Sequence, residues 1–163
     1  MSRRAIPLVL AALALGCGTR FEKEVGAEER AVLAAPEALE LLALLPSPSG
    51  EDRLLAPEED AFRGYRVLGR AVVDGAEERA QLVGLVRRGI DAAGKETASC
   101  FLPRHGLRAR RGDATVDLLL CYECLRARIY GAGAEPAEVA TGAEVEPELT
   151  ALFRAHGLRV AGR

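Results

Sequence analysis

Hydrophobic and polar positions alternate over residues 65–74. Tyr65, Val67, Gly69, Ala71 and Val73 fall on one side, with Arg66, Leu68, Arg70, Val72 and Asp74 on the other. A period of two predicts a half-buried strand. The period changes over 76–93, where Leu82, Leu85, Val86 and Ile90 line one face of a helix while Arg87, Arg88 and Asp91 point away. Asp74 or Gly75 can start that helix and Gly94 ends it. Residues 97–102 read as a short strand, followed by a bend at Pro103, Arg104, His105 and Gly106. Segments 107–111 and 114–120 flank Gly112 and Asp113, a two-residue hairpin signal. Residues 116–120 are apolar at nearly every position, as a central strand requires.

The pattern then changes parity. Val116, Leu118 and Leu120 are apolar at even positions, whereas Leu125, Ala127 and Ile129 are apolar at odd ones, alternating with Arg126 and Arg128. Taken as one strand running to Tyr130, this needs an inserted residue, so a bulge is expected between Leu120 and Leu125. The bulge would turn Cys121 and Cys124 to the same side. Residues 131–143 read as a Gly- and Ala-rich loop. Residues 147–156 read as a closing helix with Leu149, Leu152, Phe153 and His156 on one face and Gly157 as its cap.

Upstream, residues 27–45 are rich in Ala, Leu and Glu, good helix composition that Pro36 interrupts and restarts. A Pro- and Ser-rich loop follows from Pro46 to Gly50. The organisation read from these signals is a signal segment at 1–16, a tether at 17–26, a helical segment with a Pro-rich loop at 27–61, and a compact domain at 62–163. Its fold class is α+β, a two-layer domain with a mainly antiparallel sheet and helices packed on one face.

Of the 163 residues, 49% are hydrophobic and 28% charged, the balance of a packed globule and not of a disordered polyelectrolyte. Lys and Arg number 22 against 24 Asp and Glu, and there is no Trp among few aromatics. A net charge of −2 and the lack of a stacking platform give no reason to expect nucleic acid as a partner.

The first residues carry targeting chemistry. Arg3 and Arg4 precede an uncharged apolar run from Ala5 to Leu15, too short to span a bilayer and followed by Arg20, Glu22, Lys23 and Glu24. Leu13-Ala14-Leu15-Gly16-Cys17 resembles the lipobox of bacterial lipoproteins. The resemblance implies cleavage before Cys17, lipidation of its thiol, and a domain held at a membrane of the cell envelope. Gly18, in place of the Asp that retains lipoproteins at the inner membrane of enteric bacteria, implies the periplasmic face of the outer membrane over the inner one. Cys100-Phe101-Leu102-Pro103-Arg104-His105-Gly106, with Cys121-Tyr122-Glu123-Cys124 further on, is similar to a segment of bacterial exported proteins with no assigned activity.

With Cys17 lipidated, three thiols remain, and three cannot all pair within one chain. Four arrangements stay open, one of them three thiols with no shared role. Cys100 forms a disulfide with Cys121 or Cys124, suited to an oxidising envelope, and the third thiol is a buried small hydrophobe. Alternatively, Cys100, His105, Cys121 and Cys124 form a tetrahedral set for zinc, with Cu(I) as the softer option. Or Cys121 and Cys124 form a redox dithiol. Arg104, Arg108, Arg110 and Arg111 make a basic cluster beside them, and His156 reads as a helix-end residue. No Gly-rich phosphate loop, nucleophile elbow or zinc-protease helix occurs. The expected function is therefore a membrane-anchored, non-enzymatic binding or structural lipoprotein, its protein partners unknown. The alternative class is a thiol-redox or metal-dependent envelope enzyme using Cys121 and Cys124.

Overall fold

Among the described residues, seven strands form one antiparallel sheet in the order β2-β3-β1-β4-β5-β6-β7, and the helices pack on one of its faces. The computed structural model describes residues 18–46, 60–133 and 135–162. The signal segment, Cys17 and residues 47–59 of the Pro-rich segment lie outside these. The strands are β1 Ala38–Leu44, β2 Ala61–Phe62, β3 Tyr65–Val72, β4 His105–Arg111, β5 Ala114–Cys121, β6 Arg126–Tyr130 and β7 Ala137–Ala140. The helices are α1 Arg20–Glu24, α2 Ala27–Ala34, α3 Ala76–Ala92 and α4 Glu146–Ala155. The class is α+β, as the alternating periods predict.

The helix over 76–93 is α3, and its face Leu82, Leu85, Val86 and Ile90 is buried at 1% exposure or less. Each such side chain removed from water contributes about 2 kcal/mol before entropy is counted. Its Gly89 lets the following layer approach closely: a Cβ there would meet Thr141 Oγ1 at 2.8 Å and Val145 Cγ2 at 2.9 Å. The closing helix is α4, which ends as expected at Gly157. That residue has φ +75°, and the amides of Gly157 and Leu158 bond back to the carbonyls of Arg154 and Phe153. His156 is the helix-end residue expected, and its Nε2 lies 2.9 Å from Glu78 Oε1 on α3.

Residues 38–44 are a strand, not the second helix expected after Pro36. Ala-Leu-Glu-Leu-Leu-Ala-Leu has helix propensity, but β1 lies between β3 and β4 in the middle of the sheet. Leu39, Leu41 and Ala43 join the main core, while Leu42 and Leu44 join a smaller cluster on the opposite face. Burial on both faces overrides a weak local preference. The expected tether contains α1, whose Phe21 is buried and whose Arg20 guanidinium donates to the carbonyls of Ala93 and Gly94 at the end of α3. The boundary expected near Phe62 does not separate the packing, since Phe21, Val25, Val32 and Leu33 share one core with α3 and the sheet.

The parity change marks a hairpin and not a bulge. β5 ends at Cys121, residues 122–125 turn, and β6 returns antiparallel with Leu118 opposite Ile129 and Leu120 opposite Ala127. In this register even positions of β5 face odd positions of β6, so directly opposite neighbours share a face although their parity differs. Leu125, at φ +54°, completes the turn. A bulge does occur in β3: Ala43 and Leu44 pair with Gly69 and Val67, leaving Leu68 as the extra residue. Tyr65 and Val67 consequently pack on the face away from the helices, while Ala71 and Val73 pack against the main core. Residues 97–102 are irregular and not a strand, and the bend expected through Gly106 gives way to β4, which already begins at His105. β7 lies inside the segment read as loop, held to β6 by four register pairs and by Glu138, which bridges Arg126 and Arg128.

Candidate functional site

The turn at 122–125 and the irregular link after α3 bring the cysteines together. Cys100 and Cys124 are joined by a disulfide with their Cα atoms 5.7 Å apart, and the Ala98 amide bonds to the Cys124 carbonyl at 3.1 Å. Cys121 is free and buried; its Sγ accepts the amide protons of Leu102 at 3.3 Å and of Cys124 at 3.2 Å. Burial pushes the Cys121 thiol above its ordinary pKa despite these two bonds. That is the opposite of the low-pKa, accessible thiol a redox pair uses, and Cys121 is not bonded to Cys124.

His105 turns the other way. Its register partner is Leu120, so its ring enters the helix-covered face, whereas Cys121 follows Leu119 on the opposite one. His105 is 1% exposed. Its Nε2 lies 2.9 Å from Thr150 Oγ1 on α4, and its ring stands edge-on to Phe153 at 4.9 Å and Tyr122 at 5.6 Å. Nδ1 and the Tyr122 hydroxyl are both buried without a hydrogen-bond partner among the described residues. The arrangement that strands no N–H has Nε2–H donating to Thr150 and Nδ1 bare. Desolvation, with the Arg104 charge as the smaller cause, lowers the His105 pKa from 6.5 to about 4, so the ring is neutral at pH 7. Burial likewise pushes the Tyr122 hydroxyl up.

The four residues expected as a zinc set therefore divide: two in a disulfide, one thiol between backbone amides, one imidazole against Thr150. Among the described residues, no group of three or more His, Cys, Asp or Glu is placed to hold a metal ion.

The basic cluster also divides by face. Arg104 is 9% exposed, pairs with Glu123 at 2.7 Å and donates to the Gly162 carbonyl. Arg111 reaches the Ala31 carbonyl of α2 on the helical side. Arg108 and Arg110 lie on the other face, where Arg108 makes two bonds to the fully buried Asp117, at 2.7 and 2.9 Å. These bonds hold the Arg108 pKa above its usual value. Arg63 adds a third bond to Asp117, at 2.7 Å.

Arg63 and Gly64 form the β2–β3 turn with φ of +51° and +83°, and two positive φ values are what a type I′ hairpin requires. A non-glycine residue is strained there, and the Asp117 bond together with the Tyr130 ring 4.6 Å from the guanidinium holds it in place. Arg108 stacks on Phe62 at 5.0 Å and Arg128 on Phe101 at 4.0 Å. Among the described residues of this face, Arg63, Arg70, Arg108, Arg110, Arg126 and Arg128 outnumber Glu40, Asp117 and Glu138, although the chain as a whole is negative. The near-neutral total conceals this asymmetry. Arg63 was not singled out from sequence; the signal available was Arg-Gly between Phe62 and Tyr65, a possible hairpin turn.

No protein-family model, curated protein or solved structure matches the chain.

Proposed function

We propose that this chain is an exported lipoprotein, anchored by lipid on Cys17 to a bacterial envelope membrane, the outer more than the inner, and serving there as a non-enzymatic binding or structural domain. The observation that carries the reading is a conjunction: a lipobox-like Leu13-Ala14-Leu15-Gly16-Cys17 stands ahead of a domain with a Cys100–Cys124 disulfide. Disulfides persist in oxidising compartments and are rare where thiols are kept reduced. The non-enzymatic part is supported by burial. His105 and Thr150 are an imidazole–hydroxyl pair at 2.9 Å, the geometry of an activated nucleophile, yet the ring is 1% exposed and no substrate can reach it. Cys121 is buried with its pKa raised.

The test is metabolic labelling of the producing bacterium with a tagged fatty acid, followed by membrane fractionation. Wild-type protein is expected to take up the tag and sediment with membranes, whereas Cys17→Ser takes up none and leaves the membrane fraction. An untagged wild-type protein would overturn the proposal.

A further inference from the structure

A groove of about 330 Å³ runs between α1, α2 and α3. Its apolar lining is Ala27, Ala31 and Ala34 with the largely buried Phe21 and Val83, and Glu22, Arg30 and Arg87 stand along it. The two guanidiniums differ in their surroundings. Arg87 is neutralised by Glu22 at 3.1 Å and Asp91 at 3.7 Å. Arg30 has a buried Nε with no hydrogen-bond partner, and no described carboxylate pairs with it. A half-desolvated cation without a counter-ion is costly, and a groove that combines one with an apolar wall is complementary to an amphiphile bearing one negative charge.

We propose that this groove binds a long-chain fatty-acid anion, its carboxylate on Arg30 and its chain along Phe21, Ala31, Ala34 and Val83. The volume lies at the lower end of ligand sites, which suits one acyl chain better than two. One uncompensated guanidinium matches a monoanion better than a phosphate monoester. Phe21 is four residues beyond Cys17, a reach of about 14 Å at full extension. Delivery of the ligand from a bilayer rests on the lipoprotein reading above; the chemistry of the groove does not.

The test uses the full chain in phosphatidylcholine vesicles containing a photoactivatable diazirine analogue of palmitic acid, with cross-links mapped by mass spectrometry. Cross-links are expected on residues 27–34 and at Val83. They should fall about tenfold in Arg30→Gln, as loss of one charge-assisted contact implies, and to a similar extent in Ala31→Phe, which fills the groove from an exposed position. The corresponding uncharged alcohol should label about tenfold less than the acid. Melting curves of both variants without probe identify any loss of labelling that comes from misfolding, and Ala31→Phe and Arg30→Gln test the tail and head contacts separately.

Equal labelling by acid and alcohol, or labelling unchanged in both folded variants, overturns the proposal. Stronger labelling by a lysophosphatidic acid probe overturns the carboxylate assignment. The intact mass of the same sample separates this result from the anchor. A labelled groove on a chain without lipid on Cys17 removes the anchor and leaves the groove, while a lipidated chain with an unlabelled groove does the reverse.

Discussion

Acidification to pH 4 is expected to cost this domain roughly 3 kcal/mol through His105 alone. The ring sits between Phe153, Tyr122 and Thr150, with a pKa of about 4 against 6.5 for an exposed imidazole. Between those two values the unfolded chain takes up a proton that the folded chain refuses. The stability contributed by a neutral ring is therefore complete above pH 6.5 and is lost as pH falls toward 4. At about 1.36 kcal/mol per pKa unit, the loss amounts to roughly 2 kcal/mol at pH 5 and 3 at pH 4. The structural reason is that protonation puts a charge and an N–H on Nδ1, which has no acceptor among the described residues. Urea unfolding of wild type and His105→Gln at pH 7, 6, 5 and 4 isolates the effect, because carboxylate titration is common to both proteins. The stability advantage of wild type over the variant should shrink by about 3 kcal/mol from pH 7 to pH 4. A difference that stays constant within about 0.5 kcal/mol over this range would refute the assignment of a depressed pKa to a buried neutral ring.

Three further outcomes follow from the geometry. Reduction of the Cys100–Cys124 disulfide, which spans 24 positions, should lower stability by about 3 kcal/mol, read as a urea midpoint that drops with dithiothreitol; native oxidised protein should meanwhile leave Cys121 unalkylated by iodoacetamide. Asp117→Asn removes the charge that two guanidiniums share in a fully buried position, and should cost about 3 kcal/mol by thermal unfolding, whereas Arg63→Ala should cost less because Arg108 remains. Gly106→Ala places a Cβ 3.0 Å from two Phe62 ring carbons and 3.3 Å from Leu42 Cβ, so about 1–3 kcal/mol is expected from overpacking, measured as a fall in Tm.

Where one periodicity decided a segment, the element was legible, although in β3 the bulge at Leu68 moves Tyr65 and Val67 to the face opposite Ala71 and Val73, which the alternation alone places together. α3 and α4 each carry a single apolar face and real end signals, and Gly112 at φ +55° makes the expected turn between β4 and β5. Residues 38–44 were not legible because Leu, Ala and Glu favour a helix in isolation, and burial on both sides is a property of the neighbours β3 and β4. The parity change after Leu120 was a true signal with two physical causes, a bulge or a reversal of the chain, and only the pairing of Leu118 with Ile129 separates them. In the cysteine region, residue types gave the candidates but not their directions. His105 and Cys121 are close along the register and on opposite faces of the sheet, a distinction that depends on β4 starting two residues earlier than the bend at Pro103 suggested.

The place of β1 in the sheet bears on how the chain comes off the ribosome. Ala38–Leu44 is made early, yet its partner β4 begins only at His105, about 60 residues later. At about 5–20 residues per second, synthesis alone leaves a nearly continuous apolar strand with an open edge for at least roughly 3–12 seconds, and on the lipoprotein reading export before folding extends it. Such a segment is a template for pairing with another chain. The nascent protein thus passes through a period in which a holdase chaperone has a defined target, and the strand that finally knits the two halves of the sheet together is the one most in need of shielding beforehand.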